Sequence, residues 1–193
     1  MTDGMAAPET TEAELLARYA AGDRGAAREL TRRLAPRIHA LARRMLDDPT
    51  EAEDVTQEAM LRLWRLAPDW QEGRGAVATW LYRVTANLCL DRLRRRRETS
   101  ADTVPELADD APDAVGRLAA ADRAAALDAA LARLPDRQRL AVVLRHLEER
   151  GNPEIAELLD TSVEAVESLL ARARRALAAD LAGRREELGF TDE

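Results

Sequence analysis

The chain has 193 residues, of which 3% are aromatic and 9 are glycine, and Ala, Leu, Arg and Glu dominate it. Good helix formers, with few of the β-branched and aromatic residues that build sheets, point to an all-α protein of one domain or two small ones. The net charge of −7 excludes a protein that coats nucleic acid by electrostatics alone, the single Cys89 excludes an internal disulfide, and two histidines (His39 and His146) are too few for most zinc sites.

All 29 basic residues are arginine, whose guanidinium suits bidentate contacts to phosphate and guanine. The charge is uneven along the chain. Residues 1–97 carry 17 Arg against 15 acids and residues 128–185 carry 10 of each, whereas 98–127 carry 7 acids and 2 Arg, and 186–193 carry 4 acids and no base. No secretory leader pattern is present and the longest apolar run is far short of a membrane span, so a cytoplasmic protein without membrane insertion is expected.

Residues 1–9 are polar and predict a disordered N-terminus. Leu15, Leu16 and Tyr19, then Leu30, Leu34, Ile38, Leu41 and Met45, follow helical spacing on either side of Ala21-Gly22-Asp23. Asp47-Asp48-Pro49 ends the second helix. Thr50 and Glu53 have capping-box spacing and open a third helix that runs to Pro68. A Gly-containing loop (68–75) leads into a fourth helix over about 76–97, which ends in Arg94–Arg97. Pro105, Pro112, Gly116 and the acids Glu98, Asp102, Glu106, Asp109 and Asp110 then break any apolar period, which predicts a flexible acidic linker over 98–117. Helical patterning returns at 118 with Leu127, Leu131 and Leu134, stops at Pro135 and resumes with Leu140, Val143, Leu144 and Leu147. Asn152 as N-cap with Pro153 behind it starts a short helix. After Asp160-Thr161 comes a long helix from 162 to about 182, with an acidic tail at 186–193.

Three features carry functional chemistry. A short helix, a tight turn and a longer helix at 153–182 have the helix-turn-helix layout, whose second helix enters the major groove. Val163, Val166, Leu170, Leu177 and Leu181 form its core side. Ser168 and Arg172 lie nearly opposite, flanked by Glu164, Ala165 and Arg175; small side chains admit the DNA backbone while Arg reaches guanine or phosphate. Thr161 and Glu164 also fit a capping box, so Glu164 has a purely local alternative role. On the helix at 76–97, Val77, Leu81, Val84 and Leu88 form the core side with Trp80 beside them, and Arg83, Asn87, Leu90 and Arg94 form a second stripe able to reach bases and phosphates. On the helix at 50–67, Ala52, Val55, Ala59, Leu63 and Leu66 form the core face. Leu61 points away from it among Asp54, Gln57, Glu58 and Arg65, the pattern of a docking surface for a protein partner.

These segments resemble a known family. The run Glu51–Trp64 (EAEDVTQEAMLRLW) is similar to sigma region 2.2, Thr79–Arg95 (TWLYRVTANLCLDRLRR) to regions 2.3 and 2.4, and Leu134–Arg139 (LPDRQR), Glu154–Ala156 (EIA) and Val163–Arg174 (VEAVESLLARAR) to region 4 of the sigma-70 family. No segment resembles region 1.1 or a full region 3, which selects the small extracytoplasmic-function (ECF) group. The resemblance implies two helical domains, at 10–97 and 118–185. It implies that Asp54, Gln57, Glu58, Leu61 and Arg65 bind core RNA polymerase, on the coiled coil of the β′ subunit, with the β subunit as a further partner. Trp80, Arg83, Asn87, Arg94 and Arg95 are then expected to contact the −10 element as it opens. Ser162, Glu164, Glu167, Ser168, Ala171, Arg172 and Arg175 are expected to contact the −35 element.

An anti-sigma factor is implied as a regulatory partner. No catalytic residue, metal site or cofactor is expected. The chain departs from the family pattern at Asp160, where Gly is usual in the helix-turn-helix turn, at Glu167, where many relatives are basic, and at Val77, where Phe is common. The rival readings are a stand-alone helix-turn-helix regulator, an adaptor that binds polymerase without reading DNA, and an enzyme using Asp54 and Glu58, which has no supporting carboxylate–His cluster.

Overall fold

Polar side chains cap the starts of several helices and fix where those elements begin. The computed structural model describes residues 10–71, 75–100 and 126–182, all helices and connecting turns with no strand among them. Helix α1 (Glu12–Ala20) is closed by a capping box in which Thr11 Oγ1 accepts from the Glu14 amide and the Glu14 carboxylate accepts from the Thr11 amide. Gly22, at φ +98°, turns the chain into Asp23, whose carboxylate caps α2 (Arg24–Met45) by accepting from the Gly25 and Ala26 amides.

Helix α3 (Pro49–Leu66) is capped by Asp48, which accepts from the Thr50 and Glu51 amides. This corrects the Thr50–Glu53 capping box. Pro49 lacks an amide hydrogen and has a fixed φ, so it takes the first helical position and the cap falls one residue earlier. A 3₁₀ turn, Ala67–Asp69, follows.

Helix α4 (Val77–Ser100) runs three residues past the expected end at 97, so the first residues assigned to the linker are helical. The remainder of that linker, the helix start at 118, and both termini expected to be irregular (1–9 and 186–193) lie outside the described residues. Helix α5 covers 126–132. Helix α6 (Asp136–Val142) widens into a π turn (Val143–Leu147), and α7 (Asn152–Leu158) and α8 (Val163–Ala182) form the helix-turn-helix. The cap of α7 is Gly151, not Asn152: Gly151 donates its amide to Glu154 Oε2 at 2.9 Å, and Asn152 is already helical.

Two sets of buried side chains hold the fold together. One joins Leu15 and Leu16 of α1, Leu30, Leu34 and Ile38 of α2, Ala59 and Leu63 of α3, and Val77 and Leu81 of α4. The other joins Leu41 and Met45 of α2 and Tyr82, Ala86 and Cys89 of α4 to Leu140, Leu144, Ile155, Leu158, Val166 and Leu170 of the C-terminal half. Helix α4 is therefore buried on two sides. Its expected core stripe is half right: Val77 and Leu81 are buried, Val84 and Leu88 only partly, and Tyr82, Thr85, Ala86 and Cys89 form a second buried face. Cys89 is a buried core residue, and burial pushes its thiol up to about 12.

Candidate protein-docking and nucleic-acid surfaces

The α3 face assigned to protein docking is solvent-facing. Leu61 is 46% exposed, and Asp54, Gln57 and Glu58 share with it an open groove of about 430 Å³ between α3 and α4. Leu88, Asp91, Arg92 and Arg95 supply the opposite wall. A single apolar side chain ringed by both signs of charge suits a partner that presents an apolar contact inside a charged frame. Glu58 accepts from Arg62 Nε at 2.8 Å, and that hydrogen bond holds its carboxyl below the usual carboxylate range. Arg92 donates to the main-chain carbonyl of Glu51 at 2.7 Å and so ties the two helices together beside the groove.

Arg65 is exposed but does not line the groove, whereas Arg95, assigned to −10 DNA, does. The α4 wall was missed because periodicity reads one helix at a time, and the groove exists only where two helices meet.

The N-terminal end of α4 is held from α1, where Glu12 Oε2 accepts from the Ala78 amide at 3.0 Å. A carboxylate there satisfies one orphan amide and complements the positive end of the helix dipole. Trp80 is half-buried and stands edge-on to Trp70, with ring centroids 6.2 Å apart. Gly75, at φ +89°, lets the loop turn into the helix. Beside Trp70 lies a cleft lined by Ala13, Ala17, Ala67 and Pro68.

Asn87, Arg94 and Arg95 are exposed, and Arg94 pairs with Asp91 at 3.1 Å. Arg83 is not free. It donates to the main-chain carbonyl of Glu157 at 2.8 Å and to that residue's carboxylate at 3.3 Å, so the structure turns it towards α7.

In the helix-turn-helix, Asp160 adopts φ +48°, the left-handed conformation that the family's Gly would supply, so the turn is kept and not shifted. Ser162, not Thr161, caps α8, accepting from the Ala165 amide at 3.2 Å. Glu164 sits in the first turn, where hydrogen bonds from its own amide and from Ser162 lower its pKa. Val166, Leu170 and Ala173 are buried, Val163 and Leu177 partly so. Glu164, Glu167, Arg172 and Arg175 face solvent, with Ser168 and Ala171 half-buried between them. Arg172 donates to Ser168 Oγ at 2.8 Å, which holds the guanidinium over the small side chains of that face. Among the described residues no cluster of three or more His, Cys, Asp or Glu is placed to hold a metal, and no helix is long and apolar enough to cross a membrane.

Known proteins match both halves. The sigma-70 region 2 family model matches residues 30–99 and the sigma-70 region 4 family model matches residues 124–177. The ECF RNA polymerase sigma factor SigM of Mycobacterium tuberculosis is 39% identical over 170 residues, covering 88% of this chain and 84% of that protein. SigW of Bacillus subtilis is 30% identical over 176 residues, covering 81% and 89%. The solved structure of CnrH in complex with the cytosolic domain of CnrY superposes with a TM-score of 0.68 at 27% identity, covering 89% of this chain and 97% of that one. Region 2 and region 4 follow in order, with α3, α4 and α8 where the family's motifs lie, and the chain belongs to the extracytoplasmic-function sigma factors of the sigma-70 family.

Proposed function

We propose that this sigma factor uses three separate surfaces to lend RNA polymerase its promoter choice. The groove lined by Leu61, Asp54, Gln57 and Glu58, with Arg65 exposed outside it on the same helix, docks on the β′ coiled coil. Trp80, Arg83, Asn87, Arg94 and Arg95 hold the −10 element once its strands part. Ser162, Glu164, Glu167, Ser168, Ala171, Arg172 and Arg175 read the −35 element in the major groove. The factor acts in the cytoplasm, where polymerase works, and catalyses no reaction itself.

The observation that carries this reading is the outer face of α8. Arg172 stands exposed and braced by Ser168, beside Ala171, on a helix whose opposite side is buried. An N-terminal recognition-helix face of this kind fits a major groove. The net charge of −7 agrees with it, because affinity then comes mainly from polymerase. CnrH, a similar structure, was solved in complex with the cytosolic domain of CnrY, and an anti-sigma factor that binds the chain is the regulator we assign to it.

Run-off transcription with core polymerase on a genomic library, followed by mapping of start sites, tests the proposal. Promoter-dependent initiation, with a duplex promoter shifted only when core polymerase is present, is the expected result. Tight, specific duplex binding by the free chain at physiological salt would instead favour a stand-alone helix-turn-helix regulator.

A further inference from the structure

Helix α4 carries the residues assigned to the −10 element, yet the residue before its first turn cannot cap it. The helix begins at Val77 after Gly75-Ala76, and Ala76 has no side-chain acceptor. Helices α1, α2, α3 and α8 are each closed by a side chain next to the helix start, from Thr11, Asp23, Asp48 and Ser162. The acceptor for α4 comes instead from Glu12, 66 positions before its partner, whose Oε2 takes the Ala78 amide at 3.0 Å. A helix start without an acceptor leaves its first amides orphaned, and the first turn frays.

Glu12 is itself held in place. It is the first residue of α1 and follows Thr11, whose amide and hydroxyl are both bound to Glu14. Arg33 of α2 donates to the main-chain carbonyl of Thr10 at 2.8 Å, and Glu29 Oε1 accepts from Arg33 Nε at 2.6 Å. One turn further along α1, Leu15 and Leu16 are buried with Val77 and Leu81 of α4. Helix α1 therefore acts as a strut: anchored on α2, it presents a fixed carboxylate to the start of α4.

What the cap holds still is an aromatic pair. Trp80 lies in the first turn of α4, and its amide donates to the Ala76 carbonyl at 3.1 Å. Its ring stands edge-on to Trp70, with 6.2 Å between centroids. Trp70 and Gly75 also wall a cleft of about 630 Å³ whose other side is formed by Ala13 and Ala17 of α1. Loss of the cap loosens the turn that carries Trp80, while buried Leu81, Tyr82, Thr85 and Ala86 keep the body of α4 packed.

We propose that Glu12 is a positioning residue for opening of the −10 element: by capping α4 from α1, it fixes where Trp80 stands against Trp70. This rests on the −10 assignment above and adds to it a residue that acts through α4 and not on DNA.

The test compares the full-length wild type with Glu12→Gln, Glu12→Ala and the double variant Glu12→Ala/Ala76→Ser. Glutamine keeps an acceptor oxygen for the Ala78 amide and loses only the charge that complements the helix dipole, whereas alanine loses both. Ala76→Ser supplies a local cap at an exposed position. Three quantities are read: the near-ultraviolet circular dichroism of the tryptophans, the affinity for core polymerase, and the rate of open-complex formation at a promoter mapped by the run-off experiment. Loss of one cap shifts a local equilibrium about fivefold, so Glu12→Ala is expected to weaken the tryptophan band and slow opening about fivefold, with core affinity unchanged. Glu12→Gln falls between, and Ala76→Ser restores both the band and the rate in the Glu12→Ala background. Opening by Glu12→Ala at the wild-type rate overturns the proposal. So does a defect that Ala76→Ser leaves unrepaired, which would confine the role of Glu12 to α1. If the wild type opens no promoter, the sigma reading falls and the tryptophan band decides the cap by itself: a band weakened in Glu12→Ala and restored by Ala76→Ser supports it, and an unchanged band overturns it.

Discussion

Arg139 of α6 donates from Nε to the main-chain carbonyl of Arg44 at 2.8 Å and from its other end to Asp47 at 3.1 Å. The Arg44 carbonyl lies in the last turn of α2, where carbonyls have no intrahelical partner, so the C-terminal end of one domain's helix is capped by the other domain. Arg139 is only 5% exposed. Arg139→Met is expected to lose on the order of 2–3 kcal/mol, because a carbonyl is left without its charged donor while the packing is largely kept. Urea unfolding measures it. A loss below about 0.5 kcal/mol would show that water replaces the cap freely.

Leu61 offers the opposite case, a large apolar side chain left 46% exposed on the surface of the free protein. Leu61→Glu should leave the urea midpoint within about 0.5 kcal/mol of wild type, as surface changes generally do. It should nevertheless abolish co-purification with core polymerase. If polymerase binding survives, docking does not use this groove.

Arg172 and Glu167 separate reading from docking on α8. Arg172→Glu is expected to lower transcription from −35-dependent promoters at least tenfold, since one good bidentate base contact is worth about 1–3 kcal/mol. Its affinity for core polymerase should not change. Glu167→Gln removes a carboxylate suited to a cytosine amine, and should change the preferred base at one −35 position when start sites are mapped across a promoter library.

At Asp160 the backbone conformation makes the prediction. With φ at +48°, Asp160→Val should destabilise by about 1–2 kcal/mol, because a β-branched side chain crowds the left-handed conformation. Asp160→Gly relieves that crowding and adds freedom to the unfolded chain, so the two effects nearly cancel, within about 1 kcal/mol. Thermal melts of the pair should differ clearly. Equal melts would show that the turn relaxes to accommodate either residue.

The protein should also fail at high pH in a particular window. Burial, reinforced by Glu148, pushes the Tyr82 phenol up to about 12 from an ordinary value of 10.0, and burial pushes Cys89 up to about 12 from 9.0. Both groups are neutral when protonated and both titrate higher in the folded chain. Their contribution is therefore fully present below the unfolded values and is lost as pH rises towards about 12. Tyr82→Phe should flatten the decline between pH 10 and 12 in urea titrations, and Cys89 should resist alkylation at pH 8 until denaturant is added. Rapid alkylation of the native chain would contradict the burial of that thiol.

Much of the geometry of the candidate site was legible in the sequence because it lies within single helices. The stripe of Val166 and Leu170 opposite Arg172, and Leu61 opposite Val55 and Ala59, are relations over two to six residues that 3.6-residue periodicity exposes. The caps were legible in kind more than in place. Asp48, Gly151 and Ser162 took the roles expected of Thr50, Asn152 and Thr161, because neighbouring polar residues compete within a residue or two and packing settles which wins.

What the sequence determined by itself was therefore an all-helical chain, its helix-turn-helix and its family, all carried by local spacing and ordered motifs. What only the tertiary structure decided was everything made between helices. The groove shared by Leu61 and Leu88, the capture of Arg83 by Glu157, and the clasp of Glu148 by Tyr82 and Arg44 join residues 27 to 104 positions apart in the chain. Helix α4 hid its second face for the same reason: a helix buried on two sides shows no single apolar stripe, and Glu148 beside a turn looks like an ordinary solvated carboxylate. Periodicity tells which side of a helix is buried, while the identity of what buries it is a property of the assembled chain.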